Sequence, residues 1–313
     1  MRMESDVLRE TNFKGLGTLT RGKVRDIYGQ EDHIILVTTD RHSSFDRIIA
    51  HIPDKGAVLN LTSAFWFRET EHIIGNHVIA VPDPNVTVAK RAKPFLVEVV
   101  VRGFLTGVTD TSIWMNYEKG KRSFGGITLP DGMKKNSPLP RAIITPTTKA
   151  GHDENLELDD IVPRGLASEE EWKTMQKAAL ELFTFGQKHA ASKGFILVDT
   201  KYEFGLHDGN VIVIDEVHTS DNSRYWHADS YEGRVLKGEE PMAFDKEFLR
   251  LWFKENSDPY KDATLPEAPP EMVMELSRRY IGIYEQLTGE KFSVDAALPI
   301  IQRIEKNLES YKI

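Results

Sequence analysis

Between Leu197 and Trp226 the chain reads LVDTKYEFGLHDGNVIVIDEVHTSDNSRYW, which sets Lys201, Glu203, Asp215, Glu216, Asp221 and Arg224 among residues that favour apolar strands. A lysine beside paired carboxylates suits an anionic ligand together with a hard, oxygen-liking cation such as Mg²⁺. Which charges meet depends on the turn, because side chains alternate faces along a strand. Runs 195–204 and 211–217 are β-rich and flank Asp208-Gly209, a strong hairpin signal. A two-residue loop pairs Glu203 with Ile214 and sends Asp215 to the opposite face, whereas a three-residue Asp208-Gly209-Asn210 loop pairs Glu203 with Asp215. The three-residue loop is favoured because it gathers Lys201, Glu203 and Asp215 on one face. The competing reading is a solvent-facing strand edge whose charges guard against aggregation.

A second constellation, Gly15-Leu-Gly17-Thr-Leu-Thr-Arg-Gly22-Lys23-Val24-Arg25, resembles two phosphate-binding motifs and fits neither. Val24 stands where a P-loop needs Ser or Thr for Mg²⁺, and a strand pattern follows rather than a helix. The dinucleotide pattern fails at Thr20. What remains is a glycine-containing hairpin that projects Lys23 and Arg25 from one face. Such a hairpin covers nucleotide phosphates in kinase-like folds, and it is also what an ordinary basic hairpin looks like.

Three further clusters end or follow β-like runs. Asp40-Arg-His-Ser43-Ser-Phe-Asp46 follows strand 33–39, where polar residues commonly line a site mouth. Val99-Val-Val-Arg102-Gly-Phe-Leu-Thr106-Gly107 places an arginine at the end of an apolar strand. Its partner is either a bidentate phosphate or carboxylate ligand or an internal acid. The stretch Thr145-Pro-Thr-Thr-Lys149-Ala-Gly-His152-Asp153-Glu154-Asn155 is too polar for a core and long enough to be a functional loop.

The elements that position these groups divide near residue 120, giving an N-terminal β-rich domain (1–120) and a mixed α/β domain with C-terminal helices (121–313). The first alternates β-like runs at 24–28, 33–39, 77–81 and 95–102 with one helix at 59–73, which implies a largely antiparallel sheet with a helix against it. Segment 119–136, rich in Gly and Lys, reads as a connection with little core. A helix at 168–193 carries a capping box in Ser168 and Glu171, an apolar stripe through Trp172, Met175, Ala179, Leu182 and Phe183, and Gly194 as its stop. Later helices are expected from Asp245, with Phe244 and Leu249 as a staple, and over 270–287 and 294–311.

Composition excludes several classes. A net charge of −8 argues against a nucleic-acid coat, and Lys90-Arg-Ala-Lys93 reads as a solvated turn. No apolar run approaches a membrane span, 95–101 being interrupted by Glu98, and Met1–Arg9 has no signal-peptide core. With no cysteine there is no disulfide framework, thiolate metal site or cysteine nucleophile, which fits a cytoplasmic protein. Neither a nucleic-acid nor a membrane partner is expected, and oligomeric state leaves no mark in the sequence.

Taken together, Gly22-Lys-Val-Arg-Asp-Ile-Tyr28, Asp40-Arg-x-Ser-x-Phe-Asp46, Val101-Arg-Gly103, Thr145-Pro-x-Thr-Lys149, His152-Asp-Glu-Asn155, Asp199-Thr-Lys-Tyr-Glu-Phe-Gly205 and Asp215-Glu-Val with Asp221-x-Ser-Arg224 resemble the signatures of the phosphoribosylaminoimidazole-succinocarboxamide synthase (SAICAR synthetase) family. The resemblance spans residues from about 15 to 255. It implies a purine-biosynthesis ligase that joins L-aspartate to 5-aminoimidazole-4-carboxylate ribonucleotide (CAIR) with ATP and Mg²⁺. It also implies an α+β fold, with a kinase-like N-terminal antiparallel sheet domain, a larger mixed α/β C-terminal domain and an ATP cleft between them.

Carried onto this sequence, the resemblance places Gly22, Lys23 and Arg25 on the ATP phosphates with Lys149 near the nucleotide. It makes Glu203 and Asp215 the metal carboxylates and puts Lys201 beside the reacting carboxylate. Arg102 and Arg224 would bind the CAIR phosphate, Asp153 would line the CAIR and aspartate side, and Arg250 and Ser43 are further substrate-binding candidates. One departure concerns Gly107-Val108, where some members have Gly-Ser; the hydroxyl is either missing or supplied by Thr106, Thr109 or Ser112. No carboxylase domain accompanies the synthetase pattern, so a monofunctional enzyme is expected. The residue inventory suits an acyl-phosphate route, in which positioning and electrostatics suffice and no enzyme nucleophile is needed. A small-molecule kinase and a non-catalytic nucleotide sensor are the alternatives; turnover that depends on aspartate separates them.

Overall fold

The computed structural model describes residues 7–109, 111–149, 154–243 and 247–313, with the Glu247 side chain excepted. It divides into two compact units, neither of them one continuous stretch. One holds the described residues up to Trp66, Val78–Arg91 and those from 247 onward; the other holds Phe67–His77 and the described residues from 92 to 243. The single boundary expected near residue 120 therefore misses both the early change at 92 and the return of the C-terminal helices.

In the first unit, β1 (Thr18–Arg21), β2 (Arg25–Gly29) and β3 (His33–Thr38) form a meander, followed by the hairpin β4 (Arg41–Ser44) and β5 (Arg47–His51). Helix α1 (Lys55–Glu69) precedes β6 (Val78–Asp83) and β7 (Val86–Lys90). The sheet order is β1-β2-β3-β7-β6, antiparallel throughout. The sheet is antiparallel as expected, but the run at 95–102 lies in the second unit's sheet instead, and the helix starts four residues earlier than its apolar pattern at 59 indicates.

The second unit is built on a sheet ordered β11-β8-β13-β14, from β8 (Lys93–Phe104), β11 (Pro138–Ile144), β13 (Phe195–His207) and β14 (Asn210–Ile214). Between β8 and β11 lie α2 (Ile113–Glu118) and the small hairpin β9 (Ser123–Phe124) and β10 (Ile127–Thr128). Far from being a coreless connection, this segment buries Tyr117, Phe124 and Leu129 against Leu105, Leu139 and Ile143. Beyond it come β12 (Thr147–Thr148), which pairs with β8, and α3 (Glu169–Ser192). The capping box at the start of α3 forms as its sequence dictates: Glu171 accepts from the Ser168 amide and Ser168 from the Glu171 amide. The unit ends with β15 (Ser223–His227), paired to β13, and α4 (Ala228–Leu236).

The chain then returns to the first unit as α5 (Glu247–Asn256), α6 (Pro270–Thr288) and α7 (Ile300–Asn307). The start expected at Asp245 lies outside the described residues. Helix α7 begins at Ile300 rather than 294, after Pro299 at its N-cap, and packs Ile300, Ile304 and the following Leu308 against Leu16 and against Tyr28, Ile35 and Val88 of the five-stranded sheet. Helices α5 and α6 enclose the β4–β5 hairpin and α1 in a second cluster of Ile49, Ile52, Leu59, Leu249, Phe253 and Leu276.

Candidate active site

The turn after β13 decides the first question raised by the sequence. Asp208 and Gly209 have φ of 50° and 74°, and His207 pairs with Asn210, so the loop has two residues and Glu203 faces Ile214. The three-residue loop is thus corrected: both central residues reach the left-handed region that a type I′ turn requires. Asp215 nevertheless lies near enough for its charge to favour the Lys201 ammonium. It lies just past the end of β14 with φ of 67°, so the alternation that would send it to the far face stops at Ile214. Its charge acts on Lys201 from there. Only Lys201, Glu203 and Arg224 of the six charged residues stand in strands; Asp215, Glu216 and Asp221 occupy the connection between β14 and β15.

That connection fills a break in the sheet. On one edge β13 is paired to β15 through Thr200 and to β14 from Glu203 onward. At the junction the Lys201 amide donates to the Asn222 carbonyl (3.1 Å), and Asn222 Nδ2 returns bonds to the carbonyls of Lys201 (3.2 Å) and Glu216 (2.9 Å).

On its other edge β13 pairs with β8 so that Asp199, Lys201 and Glu203 oppose Arg102, Val100 and Glu98. Side chains two apart share a face, so one surface carries Arg102 and Asp199 at one end, Lys201 in the middle and the Glu98–Glu203 pair at the other. Like charges directly opposite destabilise a ladder. Here Lys201 Nζ lies between them, donating to Glu98 Oε1 (2.6 Å) and Glu203 Oε1 (3.2 Å), while Lys149 pairs with the other Glu203 oxygen. Thr147 Oγ1 donates to Glu98 Oε2 (3.3 Å). Burial by itself pulls the Lys201 ammonium down, but the charges of Glu203, Glu98 and Asp215 outweigh it and raise its pKa above the ordinary lysine value.

Glu98 was noted in the sequence only as an interruption of an apolar run, yet that interruption is the signal by which it could have been found. A lone carboxylate in the middle of a buried strand needs a cation.

At the other end of the face, Arg102 and Arg224 converge on one acid. Their NH1 atoms lie 3.7 and 3.8 Å from Asp199 Oδ2, beyond hydrogen-bond range, and that oxygen has no hydrogen-bond partner. Arg102 Nε donates to Thr145 Oγ1 (2.8 Å), and Arg224 NH1 to Thr106 Oγ1 (3.4 Å). Burial pulls the Arg102 pKa down; Asp199 opposes this and the neighbouring Arg224 adds to it. Two guanidinium groups sharing one loosely held carboxylate make an anion-binding end. A pocket of about 30 Å³ opens beside Arg102, walled by Thr145, Asn116, Lys121 and Asn155.

The three hydroxyls weighed at Gly107-Val108 sit in different surroundings. Gly107 has φ of 110°, and a Cβ there would fall 2.4 Å from the Ser112 Cβ, so Ser112 packs directly against it. Ser112 is buried at the N-cap of α2, Thr109 is exposed, and Thr106 gives its proton to Asn136 (2.6 Å).

In the first unit, the Gly22 amide bonds to the Arg25 carbonyl and closes the β1–β2 turn, while the Gly22 carbonyl accepts from Arg41. Lys23 is exposed and pairs with Asp46 (2.7 Å), so two of the motifs noted separately meet. Phe45 and Asp46, at φ of 55° and 57°, form a tight turn without glycine between β4 and β5, with Ser43 on β4 beside it. Backbone held in this region by residues other than glycine is concentrated at functional sites. The Arg250 guanidinium stacks 5.0 Å from the Phe45 ring centre, joining the 40–46 segment. Asp153 lies outside the described residues.

Among the described residues no group of three or more His, Cys, Asp or Glu could hold a metal ion, and no helix is long and apolar enough to cross a membrane. Glu203 and Asp215 are the carboxylates that could hold Mg²⁺, an ion usually held by one or two carboxylates while phosphate oxygens and water complete its shell.

A family model described as SAICAR synthetase matches residues 18–266. Over 307 residues the chain is 50% identical to a phosphoribosylaminoimidazole-succinocarboxamide synthase of Legionella pneumophila (strain Lens), covering 97% of this chain and 98% of that protein. It is 51% identical over 310 residues to the chloroplastic synthase of Arabidopsis thaliana, covering 97% of this chain and 75% of the plant protein. Among solved structures it is similar to the SAICAR synthase of Saccharomyces cerevisiae complexed with SAICAR, with a TM-score of 0.79, 32% identity, and coverage of 91% of this chain and 99% of the yeast one.

Proposed function

The chain belongs to the SAICAR synthetase family of purine-biosynthesis ligases, and on that premise we propose how its own side chains join L-aspartate to CAIR at the expense of ATP. The observation that carries the assignment is the single face of β8 and β13. Arg102 and Arg224 at one end hold the CAIR phosphate, and Lys201 with the Glu98–Glu203 pair at the other meets the CAIR carboxylate and the nucleotide. Asp199 and Glu203 are four residues apart, or about 13 Å along a strand, a span that a mononucleotide and these long side chains can bridge.

Glu203 and Asp215 hold Mg²⁺, which when bound offsets charge on the transferring phosphoryl group. Lys149, which pairs with Glu203, would accompany the nucleotide, and phosphate binding is the role proposed for Gly22, Lys23 and Arg25. Lys201, kept charged by its carboxylates, holds the CAIR carboxylate oxygen toward the γ-phosphorus. Attack by that oxygen releases ADP and leaves an acyl phosphate. The aspartate amine then forms the amide as inorganic phosphate departs with one former carboxylate oxygen. Ser112, set against Gly107, takes the place of the hydroxyl that other members carry after that glycine.

The test is isotopic. CAIR labelled with ¹⁸O in its carboxylate should yield ¹⁸O-phosphate in a reaction that requires ATP, Mg²⁺ and aspartate. SAICAR formed with unlabelled phosphate would leave the family membership intact and refute the acyl-phosphate route.

A further inference from the structure

The arginine at the anion-binding end is braced by a chain of groups that the reaction itself does not use. Thr106 Oγ1 accepts from Arg224 NH1 (3.4 Å) and donates to Asn136 Oδ1 (2.6 Å). Asn136 Nδ2 donates to Glu240 Oε2 (3.0 Å), and Glu240 Oε1 accepts from Lys135 (2.5 Å). Each step fixes the direction of the next. A hydroxyl has one proton, and once Thr106 gives it to Asn136 only lone pairs remain to face Arg224. The Asn136 amide cannot be reversed without aiming its NH₂ at that hydroxyl's proton and its oxygen at a carboxylate.

Asn136 is itself held at every backbone group. Its φ is 67°, its amide donates to the Leu105 carbonyl (2.7 Å), and its carbonyl accepts from Tyr231 Oη (2.7 Å). A buried non-glycine residue kept in the left-handed region, 4% exposed, needs a reason to be there. Glu240 is anchored in turn by Arg234, whose Nε donates to its carbonyl (2.7 Å). Burial pushes the Glu240 carboxyl up, but bonds from Lys135 and Asn136 and the charges of Lys135 and Arg224 hold it below the ordinary value. The carboxylate at the outer end of the chain is therefore felt by the arginine at the inner end.

We propose that Thr106, Asn136 and Glu240 form a positioning relay that fixes the Arg224 guanidinium for an anionic substrate group, drawing on three segments remote in sequence. The placement of the CAIR phosphate on Arg224 belongs to the reading above; the relay does not depend on it. None of the three is a catalytic residue. They act by removing orientational freedom from a side chain that would otherwise lose it on binding.

The experiment has two arms on the intact enzyme. In the first, nitrogen-15 relaxation of the Arg224 side chain is measured without substrate in the wild type, in Thr106→Val, which keeps shape and deletes the hydroxyl, in Thr106→Ser, which keeps it, and in Glu240→Gln. Val and Gln should mobilise the guanidinium and Ser should not; an Arg224 equally ordered in all four overturns the relay. In the second arm, Thr106→Val should raise the KM for CAIR by roughly tenfold, with kcat and the ATP KM within about twofold of wild type. Mobilised Arg224 with an unchanged CAIR KM upholds the relay and refutes the assignment of Arg224 to the CAIR phosphate. Equal rises in every KM, with Arg224 still ordered, indicate a merely structural role and overturn the relay.

Discussion

Arg102→Lys separates charge from shape at the anion-binding end. The substitution keeps the positive charge in a site where burial, Asp199 and Arg224 already compete over it, and it removes the planar fork. Two consequences can be sized. The Thr145 hydroxyl loses the Nε donor that meets it at 2.8 Å, a neutral partner's loss of about 1 kcal/mol. For a chain of 313 residues that lowers Tm by only about 2 °C. On the ligand side, a bidentate phosphate contact becomes a single one, and one charge-assisted hydrogen bond is worth about 2 kcal/mol, or roughly thirtyfold in affinity. Steady-state kinetics with CAIR and ATP varied in turn should therefore show the CAIR KM raised about thirtyfold and the ATP KM within about twofold. A raised ATP KM with unchanged CAIR KM would reassign Arg102 to the nucleotide, and a fall in Tm far beyond a few degrees would show that Arg102 is chiefly a structural partner of Asp199.

Changing Asp215 to Ala should abolish turnover at ordinary Mg²⁺ while circular dichroism stays native, because Asp215 lies past the end of β14; near-normal turnover in a folded variant sinks the metal assignment. Asp40 gives a pH prediction for the first unit. Burial raises its carboxyl to about 6 from an ordinary 3.8, against the amides of Leu8 and Gly56 that bond to it. The folded chain therefore holds this proton where the unfolded chain has lost it, and stability falls as pH rises between about 4 and 6, by about 3 kcal/mol. Urea titrations across that range should lose this component of the slope in Asp40→Asn, and an unaltered slope would refute it.

Much of the frame was legible because its signals are local. The Ser168–Glu171 box and the Gly194 stop delimit α3 to within a residue, and period-two spacing puts Lys201 and Glu203 on one face whatever the turn. What escaped the sequence was decided by backbone conformation or by distant packing. Asp208-Gly209 permits either loop length, and only the positive φ of both residues selects the shorter. Asp215 lies past the strand in a left-handed backbone conformation that no strand pattern announces. The division at residue 120 failed because α7 closes a sheet made almost wholly from the first ninety residues, a contact with no mark in either segment. Segment 119–136 looked coreless because its few apolar residues find their partners in β8 and β11.

The seat of Ser112 over Gly107 has a bearing on how such chains change over time. Five positions separate the two along the sequence, yet they touch. The entropy of closing a ring grows only with the logarithm of its length, and doubling it costs about 0.6 kcal/mol. A longer connection would therefore add little closure entropy, provided that the glycine still accepts a neighbour where its Cβ would be. Position 108 alone shows only a side chain without a hydroxyl after the glycine. In three dimensions a serine stands against that glycine, supplied from five positions further along the chain.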